Sequence, residues 1–163
     1  YEIVMQKECP GWRFMLENGA TTLWEHWEFS DNTFSHNHPM FGSISEWFYK
    51  YLGGISQTDF ACGFDKLIIK PMFTLPIQKV NCSYESIRGT IISQWEKKNN
   101  EIFWFLQLPP NCEGTVILSD LFKKITIDNE KLTDLPYISD YVKERNKIQF
   151  KISNGKYNFR LRQ

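Results

Sequence analysis

At 163 residues the chain can form one domain or two small ones, and with 42% hydrophobic and 16% aromatic residues it can bury a core rather than stay disordered. Nineteen basic residues balance nineteen acidic ones, which argues against nucleic acid or an anionic membrane as partner, since either calls for a basic surplus. Lys97-Lys98 and Lys123-Lys124 are isolated pairs and read as solvated turn residues.

The first predicted element is a short helix over Tyr1 to Glu8, stopped by Cys9-Pro10-Gly11, because proline denies the helix a donor and glycine loosens the backbone. Opening at Tyr1-Glu2-Ile3, in what reads as mid-helix and without a signal-like stretch, the chain is expected to be a fragment. No apolar run is long enough to span a membrane. Trp12, Met15 and Leu16 then fall at helical spacing, with Asn18-Gly19 as the C-terminal stop.

Ala20 to Phe34 has no clean period and reads as a long loop, the kind of segment that often carries function in a compact domain. It embeds an acid, Glu25, between Trp24 and Trp27, and His36 and His38 follow it. An aromatic ring offers a flat apolar surface for the C–H face of a sugar. A carboxylate beside it can exchange a proton with water or with a glycosidic oxygen. A neutral imidazole can hold a hydroxyl. The same residues also fit a plainer account, with the tryptophans in a core, Glu25 paired to a base and His38 starting a helix.

From Pro39 the apolar residues Met40, Phe41, Ile44, Trp47, Phe48 and Tyr51 recur every three or four positions, with Leu52 and Ile55 continuing the stripe. This predicts a helix that begins at Asn37 or His38, has Pro39 in its first turn and ends at Gly53-Gly54. Beyond about Gly63 the period becomes two. Strands are predicted at Leu67-Ile69, at Val80/Cys82/Tyr84, and at Gly89-Trp95 and Ile102-Leu108 around a hairpin loop at Lys97-Asn100. Others follow at Thr115-Leu118 and Lys124-Ile127. A closing pair, Ile148/Phe150/Ile152 and Tyr157/Phe159/Leu161, is expected to form a hairpin turned at Asn154-Gly155. Asp128 to Arg145 holds either one short strand or a long loop. Seven or eight short strands of this kind predict an antiparallel β-sandwich, with Trp95 and Trp104 as cross-strand core. The four cysteines, Cys9, Cys62, Cys82 and Cys112, show no metal-ligand spacing, and free buried thiols are expected.

The run LWEHW, then NHPMFGSISEWFYKYLGGI and FDKLIIKP, resembles the end of the catalytic domain of the bacterial α-L-rhamnosidases, a family of inverting glycoside hydrolases. The resemblance continues through GTIISQW, LQLPPNCEGTVIL and the closing GKYNF, so it covers most of the chain. It implies an α+β fragment, the last helices of an (α/α)6 barrel in residues 1–62 followed by an antiparallel β-sandwich in 63–163. It also implies that Glu25 is the general base and that His38 touches the rhamnose ring; Trp24 and Trp27 can line the sugar site, with one of them packed beneath it. No metal or cofactor is implied. The expected partners are a rhamnose-containing glycoside or polysaccharide and the upstream part of the same barrel. The general acid would lie in that upstream part, so the fragment alone is expected to be inactive and to self-associate through its uncovered helix face. His26, where the family commonly has arginine, and His36, where it often has an apolar residue, depart from the pattern. The competing accounts are a non-catalytic carbohydrate-binding module using Trp95 and Trp104, and a purely structural domain.

Overall fold

Two short helices form where the first stops predict them, α1 (Glu2–Met5) and α2 (Trp12–Glu17). After Asn18 the chain closes α2 with two bonds, Gly19 N–H to the Leu16 carbonyl (3.1 Å) and Ala20 N–H to the Met15 carbonyl (3.0 Å). With Gly19 at φ 83° this is the Schellman arrangement, which satisfies carbonyls a helix end would leave bare. The computed structural model describes residues 1–29 and 34–163, and they divide into two units, Tyr1–Trp47 and Phe48–Gln163. In the predicted loop, 20–29 and Phe34 contain no helix or strand, and its residues 30–33 lie outside the described residues.

The single helix predicted from Pro39 is replaced by shorter pieces: a 3-10 turn at Pro39–Phe41, α3 (Ile44–Trp47) and a π turn at Phe48–Leu52. The break falls at Gly42-Ser43, two residues with little to gain from helix. There the N–H groups of Gly42, Ser45 and Glu46 each donate three residues back, to Pro39, Gly42 and Ser43, tightening the turn. Met40 (59%), Phe48 (41%) and Tyr51 (46%) on the expected stripe are exposed. Ile55 belongs to a strand instead, because Gly54 turns the chain at φ 70° and lies so close to Pro71 that a Cβ would sit 2.1 Å from its nitrogen.

The second unit is two packed sheets. Its first strands are β1 (Ile55–Gln57), β2 (Lys66–Ile69), β3 (Lys79–Ser86), β4 (Gly89–Lys98), β5 (Glu101–Leu108) and β6 (Glu113–Leu118). They are followed by β7 (Lys124–Ile127), β8 (Glu130–Lys131), β9 (Ser139–Glu144), β10 (Lys147–Ile152) and β11 (Gly155–Arg162). One sheet runs β1-β2-β6-β10-β9 and the other β3-β4-β5-β11-β7-β8. Eleven strands thus replace the seven or eight expected, and β2–β6 is a parallel pair in an otherwise antiparallel arrangement. The region left open at 128–145 supplies β8 and β9.

Strict alternation builds the core. Along β5, Ile102, Trp104, Leu106 and Leu108 point inward, and along β10, Ile148, Phe150 and Ile152 do the same. Trp95 and Trp104 are direct cross-strand partners, 2% and 1% exposed, as the sequence predicts. Each indole N–H is satisfied, by the Leu52 carbonyl (2.8 Å) and the hydroxyl of the fully buried Ser93 (3.0 Å), as buried donors require. The β4–β5 connection is a two-residue turn with both asparagines at positive φ, Asn99 at 51° and Asn100 at 62°, the backbone of a type I′ hairpin.

The closing hairpin is corrected. Phe150, Ile152, Tyr157 and Phe159 are all buried, but β10 pairs with β6 and β9 whereas β11 pairs with β5 and β7. Ser153-Asn154 carries the chain from one sheet to the other, so the two strands face each other through the core instead of sharing hydrogen bonds, and packed sheets stand about 10 Å apart. The Tyr157 hydroxyl fastens this corner by donating to the Ser153 carbonyl (2.9 Å). All four cysteines are free, but only Cys82 and Cys112 are buried. Burial raises the pKa of both thiols, which keeps them protonated and inert.

Candidate functional site

The site predicted around Glu25 lies within the first unit. Two stretches of irregular chain run past each other there. The Leu23 carbonyl accepts from His38 N–H (2.9 Å), Glu25 N–H donates to the Ser35 carbonyl (2.9 Å), and the Thr22 hydroxyl donates to the His36 carbonyl. These bonds fasten both ends of the loop without forming a regular strand, which is why no period announces them.

Glu25 is tied twice to one residue. Besides the backbone bond, its Oε2 accepts from Ser35 N–H at 2.9 Å. The half-buried carboxylate is therefore oriented by a neutral donor through one oxygen. Ser35 escaped the sequence reading; ten residues away along an aperiodic loop, nothing in its position marked it.

His38 caps the turn at Pro39–Phe41, its Nδ1 accepting from Met40 N–H at 3.1 Å. In the neutral ring this bond requires the lone pair on Nδ1 and so places the proton on Nε2, which becomes a donor. The helix-start role foreseen for His38 is present, and it also fixes the tautomer.

The two tryptophans are used differently. Trp24 is buried (3% exposed) and meets Phe29 edge-on at 5.2 Å, while Phe29 stacks on His36 at 4.4 Å. Trp27 is half-buried, stacks on Phe41 at 3.8 Å and takes the edge of Trp12 at 5.0 Å. Trp12 is fixed in turn by its indole N–H to the Phe41 carbonyl (3.1 Å). The aromatic pairs thus fix Trp24 and Trp27, the rings that precede and follow Glu25 in the chain.

Known proteins now bear on this geometry. Residues 1–52, which include the whole Glu25 loop, match the family model described as the bacterial α-L-rhamnosidase six-hairpin glycosidase domain, and residues 54–132 match the bacterial α-L-rhamnosidase C-terminal domain. The chain belongs to the bacterial α-L-rhamnosidases. An α-L-rhamnosidase of Formosa agariphila is 27% identical over 99% of this chain. The structure of the α-L-rhamnosidase from Dictyoglumus thermophilum is similar over 100% of it, with a TM-score of 0.83 and 33% identity. The Streptomyces avermitilis α-L-rhamnosidase, solved in complex with L-rhamnose, shares the fold over 98% of the chain (TM-score 0.80, 21% identity). The chain spans 18% of the length of the first two and 16% of the third. A short helical piece followed by mostly antiparallel sheets is therefore the α-L-rhamnosidase arrangement of this region.

The tryptophan-platform account loses its footing on the same structure. Trp95 and Trp104 sit inside the sandwich, so neither offers a face to a sugar.

Proposed function

We propose that this chain supplies the general base of an inverting α-L-rhamnosidase, Glu25, with His38 and Trp27 forming part of the sugar site and the buried Trp24 packed beneath it. What carries the reading is the clasp on Glu25, a carboxylate aimed by a backbone N–H in a loop that matches a glycosidase domain. Inversion needs two carboxyl groups about 6.5–9.5 Å apart across the scissile bond. Glu25 draws a proton from a water on one face of the rhamnose ring while an acid from another part of the barrel protonates the leaving oxygen. Nε2–H of His38 donates to a ring hydroxyl. The packed tryptophans hold the loop's shape and close one side of the pocket against water.

With this goes the division of the chain into a barrel part, residues 1–62, and a sandwich, 63–163. The pairing of β1 with β2 and the start of the C-terminal match at residue 54 favour drawing that line nearer Gly53. The substrate is a glycoside or polysaccharide with terminal α-L-rhamnose, and the apolar side chains exposed at Met40, Phe48 and Tyr51 are covered by the rest of the barrel or, in its absence, by self-association.

Glu25→Gln in the enzyme that carries this segment tests the assignment. Release of a chromogenic rhamnoside should fall by about 10²–10⁴-fold with melting unchanged, because glutamine keeps an oxygen for Ser35 N–H but cannot take the proton. Near-normal turnover would remove Glu25 from the mechanism. The isolated 163-residue chain should release nothing, and measurable turnover by pure chain would refute the need for an acid from elsewhere.

A further inference from the structure

The outward side of the β3-β4-β5-β11-β7-β8 sheet carries an ordered set of side chains that neither the core nor the Glu25 site uses. Register sets them in rows across the strands. Asn81 lies opposite Gln94, Gln94 opposite Phe105, and Phe105 opposite Asn158, so a ring on one strand has an amide on each side. The next row runs Lys79, Glu96, Phe103, Arg160 and Thr126. Between these rows is a shallow depression of about 320 Å³ lined by Asn81, Gln94, Phe103, Phe105 and Asn158. Next to it, on the same face, a cavity of about 90 Å³ is lined by Lys124, Thr126, Asn129, Arg160 and Arg162.

The chemistry of the two depressions differs in a way that points to one ligand. The larger one is aromatic and amide-lined, with Phe103 41% exposed. Gln94 presents amide donors and an acceptor, and Asn158, whose Nδ2 also donates to Asp128 Oδ1 (2.7 Å), adds its carbonyl, which suits the paired hydroxyls of a sugar, while the ring between them suits its C–H face. The smaller cavity is basic. Glu101 bridges Arg160 and Arg162, meeting each at Nε, and Arg160 also lies over the Phe103 ring at 5.4 Å. One carboxylate between two guanidinium groups leaves the outer N–H donors of both, with Lys124 beside them, in excess. Across both depressions the lining has four basic side chains, Lys79, Lys124, Arg160 and Arg162, and one acidic, Glu96; counting Glu101 and Asp128, which bond to lining residues, an excess of one positive charge is left. Forked guanidinium groups match a planar carboxylate.

We propose that this face binds an acidic oligosaccharide of uronate sugars. One pyranose lies against Phe105 between Gln94 and Asn158, and the carboxylate of a neighbouring residue enters the cavity between Lys124, Arg160 and Arg162. The site serves to hold a polymer, with no bond made or broken, and it stands independently of the assignment of Glu25.

Calorimetric titration of the 163-residue chain with tetragalacturonate, with cellotetraose as the neutral counterpart, tests this, alongside NMR of the side-chain amides. The uronate chain should bind about tenfold more tightly than the neutral one, as a charge-assisted pair implies, with shifts at the Asn81, Gln94 and Asn158 amides and weakening in salt. Phe105→Ala should weaken both ligands about five- to tenfold. Lys124→Gln should reduce only the preference for the uronate; Lys124 is exposed and outside the Glu101 bridge, so folding is not at issue. Absence of heat and shifts at millimolar ligand, equal affinity for both chains, shifts confined to other faces, or preference for a sulfated tetrasaccharide over the uronate would each overturn the proposal.

Discussion

The two units solve the problem of holding side chains in place by different means. In Phe48–Gln163 nearly every alternate residue of the central strands is buried, and rings interlock through the core, Trp104 on Phe159 at 4.4 Å and Phe73 edge-on to both Trp95 and Trp104. In Tyr1–Trp47 only Met15 and Trp24 are buried apolar side chains among the described residues. Glu25 and His38 are instead held by backbone bonds at loop ends and by ring pairs at the surface. A fully buried large side chain contributes about 1.5–3 kcal/mol, so the sandwich stabilises itself while the first unit has little of that term. The difference teaches that a scaffold can be rigid by burial, whereas a reactive loop must keep its acid accessible and is positioned by hydrogen bonds.

The sharpest test of this contrast is to remove one ring from the core. Phe150 is fully buried and lies 6.3 Å from Phe159 of the opposing sheet. Phe150→Ala should cost about 3–5 kcal/mol in denaturant unfolding, and a loss under 1 kcal/mol would show that the sheets do not depend on each other. Next comes the corner between sheets. Gly155 has φ 152°, and a Cβ there would lie 3.0 Å from a Tyr157 hydroxyl already engaged with Ser153. Gly155→Val should lower stability by about 1–3 kcal/mol, read as a drop in melting temperature; an unchanged melt would mean the corner is not fixed.

A smaller effect is expected in the first unit. His38→Ala removes a cap worth about 1 kcal/mol, so the Met40 amide should exchange about fivefold faster while the sandwich melt stays put. His38→Asn should restore the protection, since asparagine also caps, but not any sugar contact, which separates the two roles. The smallest effect concerns pH. Asp65 Oδ1 accepts from Cys62 N–H at 2.8 Å, and that bond, helped by Arg88, lowers its pKa. A carboxyl with a lowered folded pKa adds stability above its unfolded pKa and loses it as pH falls through the folded value. The melting difference between wild type and Asp65→Asn should therefore be present at neutral pH and vanish in acid below the ordinary carboxylate range; a difference that grew on acidification would reverse the sign.

Much of this protein was legible in its amino-acid order, wherever a period repeats. Alternation along residues 102–108 and 148–152 announced strands and their inward faces, Asn99-Asn100 announced a turn, and Asn18-Gly19 a helix end, because each is a local steric or hydrophobic preference. The motif run from LWEHW to GKYNF pointed to the family and to Glu25. Other features depend on residues far apart in sequence, and only the tertiary structure decided them. The helical pattern from Pro39 could not show that Gly42-Ser43 would break it or that Gly54 must pass against Pro71. Apolar alternation shows that Phe150 and Phe159 point inward but not from which sheet, since both faces of a sandwich core look alike along the chain. Nor could it show that Ser35 would orient Glu25, or that Phe105, Gln94 and Asn158 would share one row. Register and loop closure are set by contacts across tens of residues, and no local preference encodes them.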